Sequence, residues 1–200
     1  YLIEAGEFGA GERIAALDWM SDATKEAARR KLDAFANHIG YPAKWRDYRG
    51  LELSRTSFPG NRRAAQQWEQ RRQLAKLGGP VDKGEWRMSA PTVNAFYSRP
   101  FNSINFPAGI LQAPFYDARW DDPLNYGAIG AVIGHEMTHG FDDSGRQYDA
   151  DGNLRDWWTA DDAERYKARA QKVVEQFDAY EVAPGVRWVR AEASEFRPEE

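Results

Sequence analysis

Apolar side chains recur every three or four residues in the first part of the chain, which predicts two helices. The first is predicted from a cap at Ser21 or Asp22 to residue 37, before the turn residues 40–42. Its inward stripe is apolar at four positions, Ala28, Leu32, Phe35 and Ile39. The second is predicted over residues 61–77, before the turn 78–80, with a stripe of Ala64, Trp68 and Leu74.

The pattern then changes to short runs of β-branched and aromatic residues, which predict strands over residues 92–97 and 103–106. A helix over residues 126–139 follows and is closed by Gly140. A last helix is predicted to open at a capping box, residues 159–162, and to bury Tyr166, Ala170, Val173, Val174 and Phe177. This order of elements predicts an α+β fold, mainly helical, with a short strand region before the helix over 126–139.

Composition and charge fit one globular unit and narrow the classes of partner. A chain of 200 residues with 42% hydrophobic residues can bury one substantial core. The net charge is −4 with both signs interspersed, which argues against nucleic acid as the main partner. The absence of cysteine excludes disulfides and thiolate metal ligands. No apolar stretch is long enough for a membrane span, and a chain that begins at Tyr1 is expected to be a piece of a longer one.

Five consecutive residues on the helix over 126–139 carry the strongest chemical signal, His135-Glu136-Met137-Thr138-His139. Residues four apart on a helix stand on one face, about 6 Å from each other, so both imidazoles can hold one zinc ion. Glu136 lies one step round the helix, beside the metal, where it can take a proton from water without ligating. The chain has 3 histidines and two fall in this pattern, so a chance match is a poor explanation.

Other polar groupings have plainer interpretations. His38 is interpreted as a residue near the end of the first helix, where a cation suits the helix dipole. Residues 149–153 resemble a calcium loop, but Gly152 falls two positions early and Ala160 replaces the closing glutamate, which favours an ordinary turn. Asp142 and Asp143 follow His139 and either hydrogen-bond a ligating imidazole or cap a turn.

Glycines recur at helical spacing on the same helix, before the histidine motif, at Gly127, Gly130 and Gly134. Each costs about 1 kcal/mol relative to alanine in a helix, so a compensating gain is expected. We expect that gain to be the close approach of a neighbouring backbone under the metal. Membrane dimerisation through these glycines would require a long apolar span, which this helix lacks.

Several segments around the histidines together resemble the neprilysin family of zinc endopeptidases. They are residues 94–97, 106–112, 125–127, 135–143 and 145–148, and weaker matches extend the likeness over residues 10–182. The resemblance implies a thermolysin-like (zincin) catalytic subdomain with one zinc ion, which cuts oligopeptides on the amino side of hydrophobic residues. Relatives are usually membrane-anchored or exported, so an extracytoplasmic location is implied as well.

The resemblance also gives a role to Asn94, for which the spacing alone favours an edge or surface position in a strand. It implies that Asn94 and Ala95 lie on a strand that binds the substrate backbone by sheet-like hydrogen bonds. This recognition mode agrees with the strand predicted over residues 92–97.

The end of the chain departs from the family pattern. The family takes its third zinc ligand from a Glu-Asn-x-x-Asp helix and uses a histidine and an arginine beyond it, a region that this chain does not contain. We therefore expect one partial catalytic domain over residues 1–200, with a replaced tail from about Gly185. The expected partner is the missing remainder of that domain.

Three functions stay open on this evidence. The intact protein is interpreted as a zinc-dependent endopeptidase, and the alternatives are a non-catalytic fragment with weak metal or peptide binding and a purely structural helical module. The missing ligand favours the fragment for this chain. Glu136 favours descent from an active enzyme, because a structural zinc site has no use for a base there.

Overall fold

The computed structural model describes residues 1–183 and 186–187, and side chains as far as residue 180. The fold is α+β and mainly helical, as predicted. The helices of the described part are α1 (Leu2–Ala15), α2 (Asp22–Asp33), α3 (Phe58–Leu74), α4 (Asp122–Asn125), α5 (Ala131–Thr138) and α6 (Ala160–Asp178). The strands are β1 (Ala36–Gly40), β2 (Phe96–Ser98), β3 (Ser103–Pro107), β4 (Glu181–Ala183) and β5 (Val186–Arg187).

A sheet of three strands in the order β1-β3-β2 lies next to the histidine helix. β1 runs parallel to β3, and β2 runs antiparallel to it. All five residues of β3 are buried, because it is the central strand and has neighbours on both edges. β4 and β5 form a separate antiparallel pair.

The hydrophobic core fills the space between this sheet and α5. β3 contributes Ile104 and Phe106, and α2 contributes Leu32. α5 contributes Ile133 and Met137, which also contact α1 close to Gly6. Burying an aliphatic side chain of this size contributes roughly 1.5–3 kcal/mol, so this cluster fixes the face that α5 turns inward.

The first predicted helix is correct at its start and wrong at its end. Ser21 caps α2 by accepting a hydrogen bond from the Thr24 N–H, as predicted. The helix ends at Asp33 and residues 36–40 form β1, so residues 34–37 of the predicted helix are not helical. The reason is tertiary pairing, because the Ala36 N–H donates to Asn102 O at 2.9 Å and the next residues pair with β3. Ile39 is therefore 49% exposed and is not part of an inward stripe.

The predicted cap of one outer helix is correct, and the apolar stripes of both outer helices are half-buried or exposed. α3 begins three residues earlier than predicted, with Ser57 as its cap, and none of its residues is buried against the described part of the chain. Thr159 caps α6 as predicted, and Tyr166 packs against Trp158. The second half of α6 was expected to be buried, but Val173 and Phe177 are exposed because no described element covers them.

Among the described helices, none is long and apolar enough to cross a membrane.

Candidate metal centre

The helical segment that carries the histidines begins earlier than predicted and contains an irregular turn. It starts with α4 at Asp122, passes through a π-helical turn, Tyr126–Gly130, and continues as α5. Ile129, Ile133 and Met137 recur every four residues and are buried in the core. The opposite face therefore points outward, and it is this face that carries His135 and His139.

The two imidazoles converge on one point. Their Nε2 atoms lie 3.0 Å apart, and the ring planes are nearly perpendicular at 85°. Two nitrogens of a tetrahedral zinc site, each at a bond length of about 2.0–2.1 Å, are separated by about 3.3 Å. The histidine pair thus fits two corners of one zinc tetrahedron, as the helical spacing predicted.

Glu136 lies between these histidines in sequence but occupies a different environment. Its side chain is buried, with only 5% of the residue exposed. Burial raises the pKa of the carboxyl group, while His135, His139 and the backbone N–H of Tyr97 oppose that rise. A carboxylate that is more basic than an exposed glutamate, held beside a metal-binding pair, is suited to accept a proton.

Asp142 orients the second histidine. Its carboxylate accepts a hydrogen bond from His139 Nδ1 at 2.7 Å, and others from the backbone N–H groups of Ser144 and Gly145. Burial opposes ionisation of Asp142, but these hydrogen bonds outweigh it and lower its pKa. Because an ionised carboxylate can only accept, His139 carries its proton on Nδ1 and directs the Nε2 lone pair outward. Both predicted roles of Asp142, support of the imidazole and turn capping, are therefore present.

The described residues supply two candidate ligands of a metal site. Among the side chains that the structure describes, those of residues 1–180, no group of three or more His, Cys, Asp or Glu is arranged to hold an ion. Catalytic zinc sites use three protein ligands, so the histidine pair requires one more. The predicted departure of the tail from about Gly185 lies outside the described residues.

The strand predicted over residues 92–97 is wrong in its first four residues, which include Asn94 and Ala95. β2 begins at Phe96. Continued pairing would place Asn94 opposite Pro107, which has no N–H to donate, and the carbonyls of Pro91 and Thr92 instead pack against Gly109.

Asn94 and Ala95 nevertheless lie next to the histidine helix. Ala95 is buried in the same core cluster as Ile133 and Met137 of α5. Asn94 is exposed, and its side-chain oxygen accepts a hydrogen bond from the Ala95 N–H at 2.9 Å. The structure thus places one residue of the pair in the core and the other on the surface beside it.

Two further polar groupings are distinct from the histidine pair. His38 is not at a helix end as predicted, because it lies on β1, with Nδ1 2.8 Å from Asn105 Oδ1 and its ring against Trp86. The segment 149–153 is a turn in which Asp149 accepts the N–H groups of Asp151 and Asn153. Gly152 is required in this turn, because its φ is +84° and a Cβ atom would collide with the Pro100 carbonyl.

The expected close approach of a backbone to the helix glycines is wrong. A Cβ atom at Gly127 or Gly134 would have no neighbour within 4 Å, and at Gly130 it would meet only residues of the preceding turn. The physical reason is that no described element covers this face of the helix.

A buried lysine lies behind the loop that follows His139, and the sequence pattern did not predict it. Lys31 is 1% exposed, and its ammonium group donates to the carbonyls of Gly140, Gly145 and Tyr148 at 2.6–2.7 Å. The available signal was its position three residues after Ala28 and next to Leu32, both of which lie on the inward stripe. A lysine at the edge of such a stripe is usually solvated, so the pattern alone favoured exposure.

Comparison with known proteins relates this geometry to a peptidase family. The family described as peptidase family M13 matches residues 94–195, and its N-terminal part matches residues 9–42. The endothelin-converting enzyme homolog of Locusta migratoria is 44% identical over 173 residues, which are 83% of this chain and 24% of that protein. Human neprilysin is 44% identical over 169 residues, 80% of this chain and 22% of its own length.

A solved structure shares the fold. The zinc metalloprotease ZMP1 of Mycobacterium tuberculosis, in complex with an inhibitor, matches with a TM-score of 0.86 and 49% identity, over 90% of this chain and 27% of that chain. The predicted zincin-like fold of a partial catalytic domain is confirmed by this similarity. The chain spans about a quarter of the length of the curated relatives that it matches.

Proposed function

This chain belongs to peptidase family M13, and on that premise we propose that the protein it comes from is a zinc-dependent endopeptidase of oligopeptides. The observation that carries the proposal is the convergence of His135 and His139, with Nε2 atoms 3.0 Å apart, beside the buried Glu136. The two imidazoles would hold one zinc ion together with a third ligand from outside the described residues.

Each residue of this group has a separate task in peptide hydrolysis. Zinc, when bound, supplies a Lewis acid that polarises the water and the peptide carbonyl. Glu136 accepts the proton of the attacking water and then donates it to the leaving amine. Burial raises its pKa, which makes it a stronger base than an exposed glutamate, and a general base of this kind contributes about 10²–10⁴-fold to the rate.

Substrate binding is proposed at Asn94 and Ala95, next to the edge strand β2. Among the described strands, β2 pairs with β3 alone, so its other edge can accept an extended peptide. The exposed Asn94 amide would hydrogen-bond the peptide backbone there. Cleavage on the amino side of hydrophobic residues, and an extracytoplasmic location, are proposed from the family resemblance alone.

The alternative function is that of a non-catalytic fragment with weak metal or peptide binding. It is favoured for the 200-residue chain taken alone, because the described residues supply two ligands where a catalytic zinc requires three. A purely structural module is less well supported, since a buried glutamate beside two converging histidines has no use in it. The partner of this fragment would be the remainder of the catalytic domain.

The test compares the 200-residue chain with a longer protein that also contains the family's Glu-Asn-x-x-Asp region and the histidine and arginine beyond it. We expect zinc-dependent, Glu136-dependent cleavage of an oligopeptide by the longer protein, and weak zinc binding without cleavage by the chain alone. Cleavage by the chain alone would show that its site is already complete. A longer protein that binds zinc but cleaves no peptide would refute the proposed activity.

A further inference from the structure

Lys31 on α2 holds the loop that follows the second histidine. Its Nζ atom donates to Gly140 O at 2.6 Å, Gly145 O at 2.7 Å and Tyr148 O at 2.6 Å. An ammonium group has three donors, so these three carbonyls satisfy it completely. The loop over residues 140–148 is thus bound at its beginning, middle and end by one side chain.

The surroundings of Lys31 favour a cation rather than an apolar side chain. Three aromatic rings lie around the ammonium group, those of Tyr97, Phe141 and Trp157, with centroids 5.7–5.9 Å away. Their π faces attract a cation. An apolar residue of the same length would leave Gly140 O without a donor among the described residues, whereas Gly145 O and Tyr148 O would keep only the Tyr148 N–H and the Trp157 Nε1–H.

Gly145 connects this cluster to the histidine. Its carbonyl accepts from Lys31, while its N–H donates to Asp142 at 2.6 Å. Asp142 in turn accepts from His139 Nδ1. A Cβ atom at Gly145 would collide with the His139 carbonyl, so the loop closes directly onto the end of α5. Lys31 therefore acts on the same short loop that fixes the His139 imidazole.

We propose that Lys31 is a positioning residue that orients His139 by holding the Gly140 to Tyr148 loop, which carries Asp142. Its three donors are taken by the loop carbonyls, so it acts on His139 through the loop. The inference rests on the proposed function only in that His139 is taken as a zinc ligand, and it makes a separate claim about the metal-free protein. Without Lys31, the loop should lose its fixed geometry, and the hydrogen bond between His139 Nδ1 and Asp142 should weaken.

The first readout needs neither metal nor activity. In the metal-free chain, NMR of ¹⁵N-labelled histidine should show a hydrogen-bonded His139 Nδ1–H, and Lys31→Met should shift or lose that signal. The second readout is zinc affinity, measured by competition with a chelator, which should fall about tenfold or more in Lys31→Met. In an Asp142→Ala background, Lys31→Met should add less than about a twofold further loss, because the connecting carboxylate is already absent.

A matched control separates positioning from general destabilisation. Asp162 is fully buried and accepts hydrogen bonds from Ser21 and Thr159, neither of which belongs to the loop or bonds Lys31. Asp162→Asn should destabilise the fold but leave the His139 signal and the zinc affinity of the folded protein unchanged. If Lys31→Met does not fold, Lys31→Gln, whose amide can donate to only two of the three carbonyls, decides on the same criteria.

The outcomes are distinct. A folded Lys31 variant with an unchanged His139 signal and unchanged zinc affinity would overturn the proposal. The proposal would also be overturned if Lys31→Met lowered the zinc affinity by the same factor in the Asp142→Ala background as in the parent chain. If zinc binding of the parent chain did not depend on His135 and His139, the proposed function would fail. The NMR signal of His139 would still decide the role of Lys31.

Discussion

The metal corner, residues 131–148, and the outer arm, residues 58–85, differ in where the partners of their charged side chains lie. In the metal corner, Asp142 accepts hydrogen bonds from the Gly145 N–H and the His139 imidazole. Lys31 of the neighbouring α2 donates to the Gly140 carbonyl. In the outer arm, Arg72 bonds Glu69 and Glu85, each at 2.7 Å, along the surface of α3. No residue of α3 is buried against the described part of the chain.

This difference shows which part of the catalytic domain is held in place by residues of this chain. Removing one partner of a buried hydrogen bond costs about 1–3 kcal/mol, whereas an exposed ion pair contributes about 0–1 kcal/mol. The orientation of His139 is therefore held by this chain's own residues. The arm keeps its helical form but has little that fixes it against the rest of the described molecule.

The largest expected effect is the loss of metal when either histidine is removed. With His135→Ala or His139→Ala in the longer protein, two of three protein ligands remain, and zinc should be lost on dialysis against a mild chelator. Elemental analysis measures the remaining zinc. His38→Ala is the matched control and should keep its zinc, because His38 contacts Asn105 and Trp86. Tight zinc in either ligand variant would contradict the assignment.

Glu136→Gln in the longer protein should retain zinc and lose peptidase activity. The amide is nearly isosteric but cannot accept a proton, so kcat should fall by about 10²–10⁴-fold while zinc stays near stoichiometric. The same change in the outer arm, Glu85→Gln, should leave kcat unchanged, since Glu85 bonds Arg72 and Lys76. Normal turnover by Glu136→Gln would end the assignment of Glu136 as the base.

Asn94→Ala should weaken substrate recognition without affecting zinc. Loss of one or two hydrogen bonds to the peptide backbone should lower kcat/KM by about tenfold to a few hundredfold. Asn61→Ala removes an exposed amide of the arm, which bonds Ser54, and should leave kcat/KM as it is. If Asn94→Ala has an unaltered specificity constant, Asn94 is a surface residue without a role in binding.

The smallest effect is expected at the surface of the arm. The hydrogen bonds from Arg72 lower the pKa of Glu69 to about 2, so its ion pair is present near neutral pH and is lost as the pH falls through that value. Because the pair is partly open to solvent, with 25% of the Arg72 side chain and 37% of the Glu69 side chain accessible, Glu69→Gln should lower the free energy of unfolding by less than about 1 kcal/mol. Urea titrations at low and high salt would measure this change and its screening. A loss above about 2 kcal/mol would remove the contrast between the two regions.

Features that depend on a few neighbouring residues could be predicted. The caps at Ser21 and Thr159 form within one helical turn, and the structure has both. The spacing of His135 and His139 likewise placed both rings on one face, and the two possible roles of Asp142 were recognised from its distance to His139. The apolar period of α2 is misleading beyond Asp33. Phe35 keeps the period and is buried, but it lies in the connection between α2 and β1 and not on a helix.

The sequence by itself thus determined that the His135 and His139 rings lie on one face and converge, since an α-helix converts a spacing of four residues into a fixed geometry. Only the tertiary structure decided that residues 36–40 pair with β3, that β2 starts after Asn94 and Ala95, and that Lys31 binds the loop beyond His139. These outcomes depend on partners that are far away in the chain. A backbone group or a buried charge bonds to the partner that the folded chain places next to it. The local apolar periodicity contains no information about such a distant partner.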